Sequence, residues 1–326
     1  MTTFESMLAT TIAIAAAMTF SSPQETRAQA WPTRSARIVM PFAPGGGTDI
    51  MGRLMSKKFT ETLGQTFVTE NRAGAGGLIG AELVAKAPPD GYTILVTTAS
   101  LAVNVNLHKK LAFDPIKDLA PVSRLTSVPL MLVVHPTVPA RTPQELVALA
   151  KKRPGGMNAG SNGTGTTSHL AIEMLNQAAG IKVTHIPYKG GGPAQIAMLA
   201  GEVDFRFSSV VSGIVHIRSG RMRPLAVTTA KRSFLLPHLP PLSSIYPGTE
   251  CDQWYAMFLP AGTPKEIVTR LHAETIKALA ATDVKEFMKS DGAEVVGSTP
   301  EELAAFFKLE VARYAKVIAT ANVKAD

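Results

Sequence analysis

The sequence predicts an α/β protein of two lobes, each a mostly parallel sheet flanked by helices. Apolar stretches typical of buried strands are repeatedly followed by a glycine-rich loop and then by apolar residues at helical spacing. Residues 129–251 hold such an alternation complete in itself, whereas the last part of the chain is helical and lacks its own sheet. We therefore expect lobe 1 to combine residues 31–128 with 252–326, and lobe 2 to be residues 129–251. A hinge is expected near 127–129 and 250–254, since two crossings let opposed lobes close on a ligand.

The composition limits the classes of protein to which the chain can belong. A chain of 326 residues with 45% hydrophobic residues can form two ordinary cores and is not disordered. The net charge of +8 comes from scattered Lys and Arg, and aromatic residues make up only 6%. Nucleic-acid binding is therefore disfavoured, because no basic patch with stacking residues is apparent. A diffuse positive field that draws small anions into a cleft fits better.

The N-terminus resembles a secretory signal peptide. The apolar run Leu8–Phe20 is too short to span a bilayer, and Ala28-Gln29-Ala30 gives a small-residue cleavage site before Trp31. One feature is unusual for a signal peptide: the residues before the apolar run include Glu5 and no basic residue. We expect residues 1–30 to be removed and the protein to be periplasmic, monomeric and free of cofactors and metals. Cys251 is the only cysteine, which excludes an internal disulfide and favours a buried small side chain.

The first strand–loop–helix unit is the most informative one. Ile38–Phe42 reads as a buried strand, and apolar residues recur at helical spacing from Ile50 to Phe59. Between them lies a loop whose amides sit at the mouth of a helix, where the macrodipole is positive. An ordinary βα turn is the alternative, and no phosphate-binding pattern fits. We interpret this loop as the receptor for a carboxylate; its residues are Pro44, Gly45, Gly46, Gly47, Thr48 and Asp49.

The units that follow repeat this arrangement. A second glycine loop follows strand Thr66–Glu70, and Ser100 lies beyond the end of the strand Tyr92–Thr97. Ligands of open α/β sheets bind beyond such strand ends, so Ser100 is a candidate contact or an ordinary surface hydroxyl. Val122–Thr126 and Leu130–Val134 read as two extended segments. The T-P-x-E pattern predicts capped helix starts at Thr142, Thr263 and Thr299.

Lobe 2 carries a loop rich in glycine and hydroxyl residues. It follows the strand Met157–Gly160 and precedes a helix with an apolar face. Lys182–Tyr188 is predicted to be the next strand, and Asp204 precedes another. Trp254–Leu259, helix 264–281 and a helix from Pro300 complete the chain. The loop and helix-start residues are Ser161, Asn162, Gly163, Thr164, Gly165, Thr166, Ser168 and His169.

Several motifs in this order resemble one family. PFAPGGGTD, ENRAGAGG, PDGYT, NAGSNGTGTTSHL, IPYKGGGPA and GEVD are similar to those of the Bug family, the TctC-like substrate-binding proteins of tripartite tricarboxylate transporters. The resemblance covers essentially the whole chain after residue 30. It implies a periplasmic Venus flytrap of type II-like architecture that binds a mono-, di- or tricarboxylate or an acidic amino acid. It also implies delivery of that acid to two integral-membrane transporter subunits.

The resemblance also assigns the site. Residues 44–49 would grip the ligand from lobe 1 and residues 161–166 from lobe 2, with Ser168 and His169 opening the second helix. Tyr188 and Asp204 would line the rest of the cleft. Specificity would come from less regular positions, namely Phe42, Ala75, Ser100 and Val210. Arg72 and Lys189 either strengthen the local positive potential or are solvated surface charges.

Two other functions compete with this interpretation. A hydrolase would need a nucleophile turn, but Ala159 stands where GxSxG requires glycine. A Ser161–His169 dyad or an Asp49–Asp204 carboxylate pair would be the remaining catalytic options. Alternatively, the protein could present its bound ligand to a sensor kinase. Composition does not separate that role from transport.

Overall fold

The computed structural model describes residues 31–108, 110–233, 235–290 and 292–321. The predicted signal peptide, residues 1–30, lies outside the described residues. Within the described part, no helix is long and apolar enough to cross a membrane.

Lobe 1 is built on three parallel strands in the order β2-β1-β3. Helices follow each strand, and a short 3-10 turn, Ala75–Gly77, precedes the second helix. Val39, Ile94 and Leu95 are fully buried, as expected for strands covered on both faces. The elements are β1 (Ala36–Met40), α1 (Gly47–Leu63), β2 (Phe67–Asn71), α2 (Leu78–Ala85), β3 (Thr93–Thr98) and α3 (Ser100–Leu107).

Lobe 2 repeats the arrangement with three parallel strands in the order β6-β5-β7. Phe205 and Phe207 bury the β7 face against the helices of this lobe. The elements are α4 (Pro143–Lys152), β5 (Asn158–Ser161), α5 (Thr167–Ala179), β6 (Thr184–Pro187), α6 (Gly191–Ala200), β7 (Phe205–Ser209), α7 (Val210–Arg218) and β8 (Arg223–Val227).

Two antiparallel strands join the lobes. The strand β4 (Leu119–Val134) pairs with β9 (Asp252–Pro260) as far as Pro129, and from Leu130 it pairs with β7. The prediction of two separate extended segments was wrong. Proline lacks an amide, but Pro129 lies where the pairing with β9 ends, so the missing amide does not interrupt the strand. The α/β fold with two lobes is confirmed, with antiparallel strands extending each parallel group. The hinge at these crossings stays a prediction.

The remaining elements complete lobe 1. The strand β10 (Glu294–Val295) pairs with β4, and helices α8 (Lys265–Ala280), α9 (Thr282–Ser290) and α10 (Pro300–Ala321) follow β9 in the chain. The end of α10 also touches lobe 2, since Gln177 donates to the Thr320 carbonyl at 2.7 Å. Thr142 and Thr299 cap helices as predicted. The prediction for Thr263 was wrong: its hydroxyl donates to the Pro260 carbonyl, and the helix begins at Lys265.

Candidate functional site

The carboxyl ends of the parallel strands in both lobes face one crevice, which contains two adjoining cavities. Phe42 and Asn162 line both of them. The inner cavity holds about 20 Å³, enough for roughly one water molecule. Its walls come from both lobes and from β9. The lining residues are Phe42, Gly46, Gly47, Thr48, Thr98, Ser100, Asn162, Gly191, Ser209, Ser212, Gln253 and Tyr255.

Several helices begin at the inner cavity. Lobe 1 contributes the first residues of α1 and α3, and lobe 2 contributes those of α6 and α7. Helices α1 and α6 have no side-chain cap, so their first amides are available to another acceptor. In α3 the first amide, that of Ser100, donates to the Thr98 hydroxyl at 3.2 Å. Converging positive helix ends make the inner cavity favourable for a negative charge.

The side chains of the inner cavity are neutral hydrogen-bonding groups. Its lining contains hydroxyls and amides but no Asp or Glu among the described residues. Burial raises the pKa of Tyr255 to about 12, against the opposing effect of hydrogen bonds with Ser209 and Gln253. The Tyr255 hydroxyl therefore keeps its proton at neutral pH. This wall can donate hydrogen bonds to an anion without repelling it.

The outer cavity is larger and more apolar. It holds about 330 Å³ and is walled by Phe42, Tyr188, Pro187 and the Gly74–Gly77 turn. Lys189 and His108 stand at its walls. The Tyr188 hydroxyl donates to Glu202 at 3.4 Å. Burial, together with Glu202, raises the pKa of this phenol. Arg72, by contrast, pairs with Glu70.

Asp49 shapes the first loop. Its side chain accepts hydrogen bonds from the Gly45 amide at 3.1 Å, from Arg53 at 3.0 Å and from Asn71 at 3.0 Å. Burial opposes ionisation, but these bonds outweigh it and lower the pKa of Asp49. The carboxylate thus folds the loop back onto lobe 1. Pro44 and Gly45 are exposed, whereas Gly46, Gly47 and Thr48 are buried at the inner cavity.

A fourth glycine loop, Gly190–Gly192, packs against the first. The Ala43 amide donates to the Lys189 carbonyl at 2.9 Å, which is a direct hydrogen bond between the lobes. A β-carbon on Gly192 would overlap the Pro44 carbonyl, so only glycine allows this approach. The motif was visible in the sequence, but these glycines were not predicted to belong to the site.

The hydroxyl loop of lobe 2 is largely hydrogen-bonded to itself. Ser161 accepts from the Gly163 amide at 3.1 Å, and Ser168 accepts from the Asn162 amide at 2.9 Å. His169 Nδ1 accepts from the Gly165 amide at 3.2 Å. Thr166 caps α5 and donates to the Gly163 carbonyl at 2.6 Å. In this structure, most of the loop therefore shapes the wall, and Asn162, Gly163 and Thr164 line the cavities.

Two predicted cleft residues lie elsewhere. Asp204 precedes β7 at the amino end of the sheet, where it accepts from the Asn158 amide at 2.7 Å. The cavities are at the carboxyl end, so the expectation that Asp204 lines the cleft was wrong. Val210 is fully buried in the core. Phe42, Ala75, Ser100 and Tyr188 do reach the two cavities.

The predicted catalytic alternatives are not assembled. The Ser161 hydroxyl contacts His185 Nε2 at 2.6 Å, whereas His169 stacks on His185 with ring centroids 3.9 Å apart. Ser161 is fully buried and cannot meet a substrate. Asp49 and Asp204 belong to different lobes and to opposite sheet ends. No cluster of three metal-ligating side chains occurs among the described residues.

The sequence interpretation missed a group of site residues on distant strands and in the first turn of α7. Thr98, Ser209, Ser212, Gln253 and Tyr255 reach the inner cavity. The signal for most of them was weak, because isolated polar residues at strand ends are common. Arg206 gave a stronger signal, since a charged residue stands inside the apolar strand β7. It is fully buried directly behind Asn162 and Gly191.

Comparison with known proteins gives consistent matches. The profile described as tripartite tricarboxylate transporter family receptor, TctC, matches residues 51–323. The periplasmic binding protein BugD superposes with a TM-score of 0.88 at 35% identity, covering 91% of this chain and 100% of that one. Rpa4515 of R. palustris with adipate gives 0.87 at 35% identity, with 90% and 99% covered. MatC of Rhodopseudomonas palustris with bound malate gives 0.85 at 32% identity, with 88% and 100% covered.

Proposed function

Because the chain belongs to the tripartite tricarboxylate transporter receptor family of solute-binding proteins, we propose that it captures a small carboxylate between its lobes and delivers it to two integral-membrane transporter subunits. The observation that carries this proposal is the inner cavity. Four helix starts, several hydroxyls and two side-chain amides converge there, and no acidic side chain lines it among the described residues. A desolvated carboxylate would recover its hydrogen bonds from these donors, each contributing about 1.5–3 kcal/mol.

The two adjoining cavities favour a dicarboxylate. One carboxylate would point an oxygen into the inner cavity, which has room for about one water-sized group, and the carbon chain would extend past Phe42 into the outer cavity. There, Tyr188 offers apolar surface, and Lys189 and His108 stand where a second carboxylate would end. Adipate and malate, the acids bound by two structural neighbours, are both dicarboxylates.

A thermal-shift screen tests this proposal. The panel contains mono-, di- and tricarboxylates, aromatic acids and acidic amino acids, and each hit is measured again by calorimetry beside its methyl ester. An acid at 100 times its dissociation constant adds about 2.7 kcal/mol to the free energy of unfolding. We expect a dicarboxylate to bind and its diester to fail. A panel without any binding acid would contradict the proposal.

Export and delivery have tests of their own. We expect cell fractionation to recover a periplasmic protein whose N-terminus is Trp31. Deletion of the gene should abolish uptake of the labelled acid. If deletion left uptake intact and removed only a transcriptional response to that acid, the sensor-kinase alternative would replace transport.

A further inference from the structure

A fully buried cation lies directly behind the inner cavity. Arg206, on β7, has no solvent exposure. Its guanidinium donates to Asn162 Oδ1 at 2.8 Å, to Gln195 Oε1 at 3.1 Å and to the Gly191 carbonyl at 3.4 Å. All three acceptors are neutral, and the Nε atom has no hydrogen-bond partner.

The charge of Arg206 has no counter-ion in the described part of the chain. No Asp or Glu there forms an ion pair with it, although Lys and Arg elsewhere in that part form eleven ion pairs. Burial lowers the pKa of Arg206 to about 10, so the group remains charged at neutral pH. Burying a charge without a partner is costly, and such a residue calls for a compensating anion.

Two of the residues that Arg206 contacts belong to the wall of the inner cavity. Asn162 and Gly191 both line the inner cavity. A guanidinium only donates, so the Asn162 atom that faces it must be the oxygen. The amide NH₂ is thereby left to donate to a group other than Arg206, and Asn162 lines both cavities. The fork of Arg206 also holds the carbonyl of Gly191 at the start of α6.

We propose that Arg206 is the positioning residue that makes the inner cavity specific for an anion. Its positive charge is balanced by the bound anion, and its hydrogen bond fixes Asn162 as a donor. The inner cavity would then bind a carboxylate far better than the neutral amide of the same shape. This inference rests on the proposed function, because it specifies how that site distinguishes its ligand.

Two substitutions of Arg206 separate charge from packing. Arg206→Met keeps the bulk without the charge, and Arg206→Lys keeps the charge without the fork. Calorimetry with adipate and with its diamide, adipamide, measures the preference for the anion; if adipate does not bind, the acid identified by the screen and its amide replace them. We expect at least 100-fold weaker acid binding in Arg206→Met and about tenfold in Arg206→Lys. Equal losses in both variants, or an unchanged acid-to-amide ratio in Arg206→Met, would overturn the inference.

A second pair of variants needs no ligand. Asn162→Asp would place a carboxylate at the acceptor position of Arg206, whereas Asn162→Leu is the matched control without an acceptor. We expect Asn162→Asp to raise the thermal midpoint of the ligand-free protein above that of the wild type, and Asn162→Leu to lower it. Asn162→Asp should also lose acid binding at least 100-fold. If no acid binds the wild type, the proposed function fails. If the ligand-free Asn162→Asp protein is no more stable than the wild type, Arg206 is already compensated and the present inference fails.

Discussion

Gly46 of lobe 1 and Gly191 of lobe 2 are in direct backbone contact: a β-carbon built on Gly46 would lie 3.2 Å from both the nitrogen and the Cα of Gly191. Gly46 precedes α1, and Gly191 is the first residue of α6. The contact therefore brings two uncapped helix starts together beside the inner cavity. A side chain larger than a methyl group at Gly46 would force this contact apart, so glycine lets the backbones of the two lobes meet here.

Replacing Gly46 by valine should abolish ligand binding without unfolding the protein. The branched side chain would meet Gly191 and Gly192 and would hold the lobes apart. Because Gly46 has an ordinary extended conformation, with φ −91°, valine causes no backbone strain. We expect at least about 100-fold weaker binding by calorimetry, or ~2.7 kcal/mol.

The smaller change Gly46→Ala serves as the graded control. Its single methyl group requires the neighbours to shift by only a few tenths of an ångström, so its effect should be intermediate. The denaturation midpoints of both ligand-free variants should stay near that of the wild type. A Gly46→Val protein that binds the acid normally would remove the first loop from the site.

Asn104 should strengthen ligand binding, because it joins the two lobes beside the cavities. Its buried amide donates to the Gly165 carbonyl of lobe 2 at 3.1 Å and to Ser100 and Gly76 of lobe 1. Asn104→Ala removes one neutral hydrogen bond between the lobes, worth about 0.5–1.5 kcal/mol. We therefore expect roughly 2- to 10-fold weaker ligand binding by calorimetry.

Asn106 offers a matched control on the same helix. Its amide donates only within lobe 1, to the carbonyls of Ala102 and Val311. Asn106→Ala should change the stability of lobe 1 but leave the affinity within experimental error. Equal loss of affinity in the two variants would mean that Asn104 acts through the stability of lobe 1 alone.

Because of Asp49, the free energy of unfolding should depend on pH in the acidic range. Its pKa in the folded state lies below the ordinary value of 3.8, because the bonds from Arg53, Gly45 and Asn71 outweigh its burial. The stabilisation is therefore complete above the unfolded pKa and is lost as pH falls through the folded one. Urea unfolding should show Asp49→Asn to be less stable by about 1–3 kcal/mol at pH 7, with the difference shrinking as the pH falls below the ordinary carboxyl pKa of 3.8.

The exposed pair Arg34–Asp90 provides the comparison. Asp90→Asn should change the free energy of unfolding by less than ~1 kcal/mol at pH 7, since exposed ion pairs contribute little. A difference between wild type and Asp49→Asn that persisted unchanged to pH 2.5 would show that the charge of Asp49 contributes nothing.

Cys251 should be chemically inert in the native protein. Its thiol is buried, it points to the Thr167 carbonyl at 3.7 Å, and burial raises its pKa to about 12. Reactivity requires the thiolate, so a maleimide or disulfide reagent should label it only at the rate of unfolding. Rapid stoichiometric labelling at pH 7.5 without denaturant would contradict the position of Cys251.

The strand–loop–helix units could be predicted because their signals are local. Apolar strands, glycine loops and capped helices each depend on neighbouring residues, and the first loop was placed correctly at the mouth of α1. The path of β4 could not be predicted in this way. Its continuity through Pro129 depends on strands that lie far away in the sequence. β9 pairs with β4 up to Pro129, and β7 pairs with β4 from Leu130 onward.

The site was predicted in part for the same reason. Loop residues such as Gly46 and Asn162 belong to motifs, but Gln253 and Tyr255 reach the cavity only because β9 inserts antiparallel beside β3. The hydroxyl-rich composition of residues 161–168 indicated ligand contacts. The structure instead uses Ser161 and Ser168 to satisfy neighbouring amides within the loop.

The most direct test of the account is a crystal structure of the complex with the acid that the screen identifies. We predict that one carboxylate has an oxygen in the inner cavity, with its oxygens within about 3.2 Å of the amide nitrogens of Gly47 or Thr48 and of Asn162 Nδ2. A bound acid whose carboxylates all lie outside that cavity, with none of these donors in contact, would contradict it.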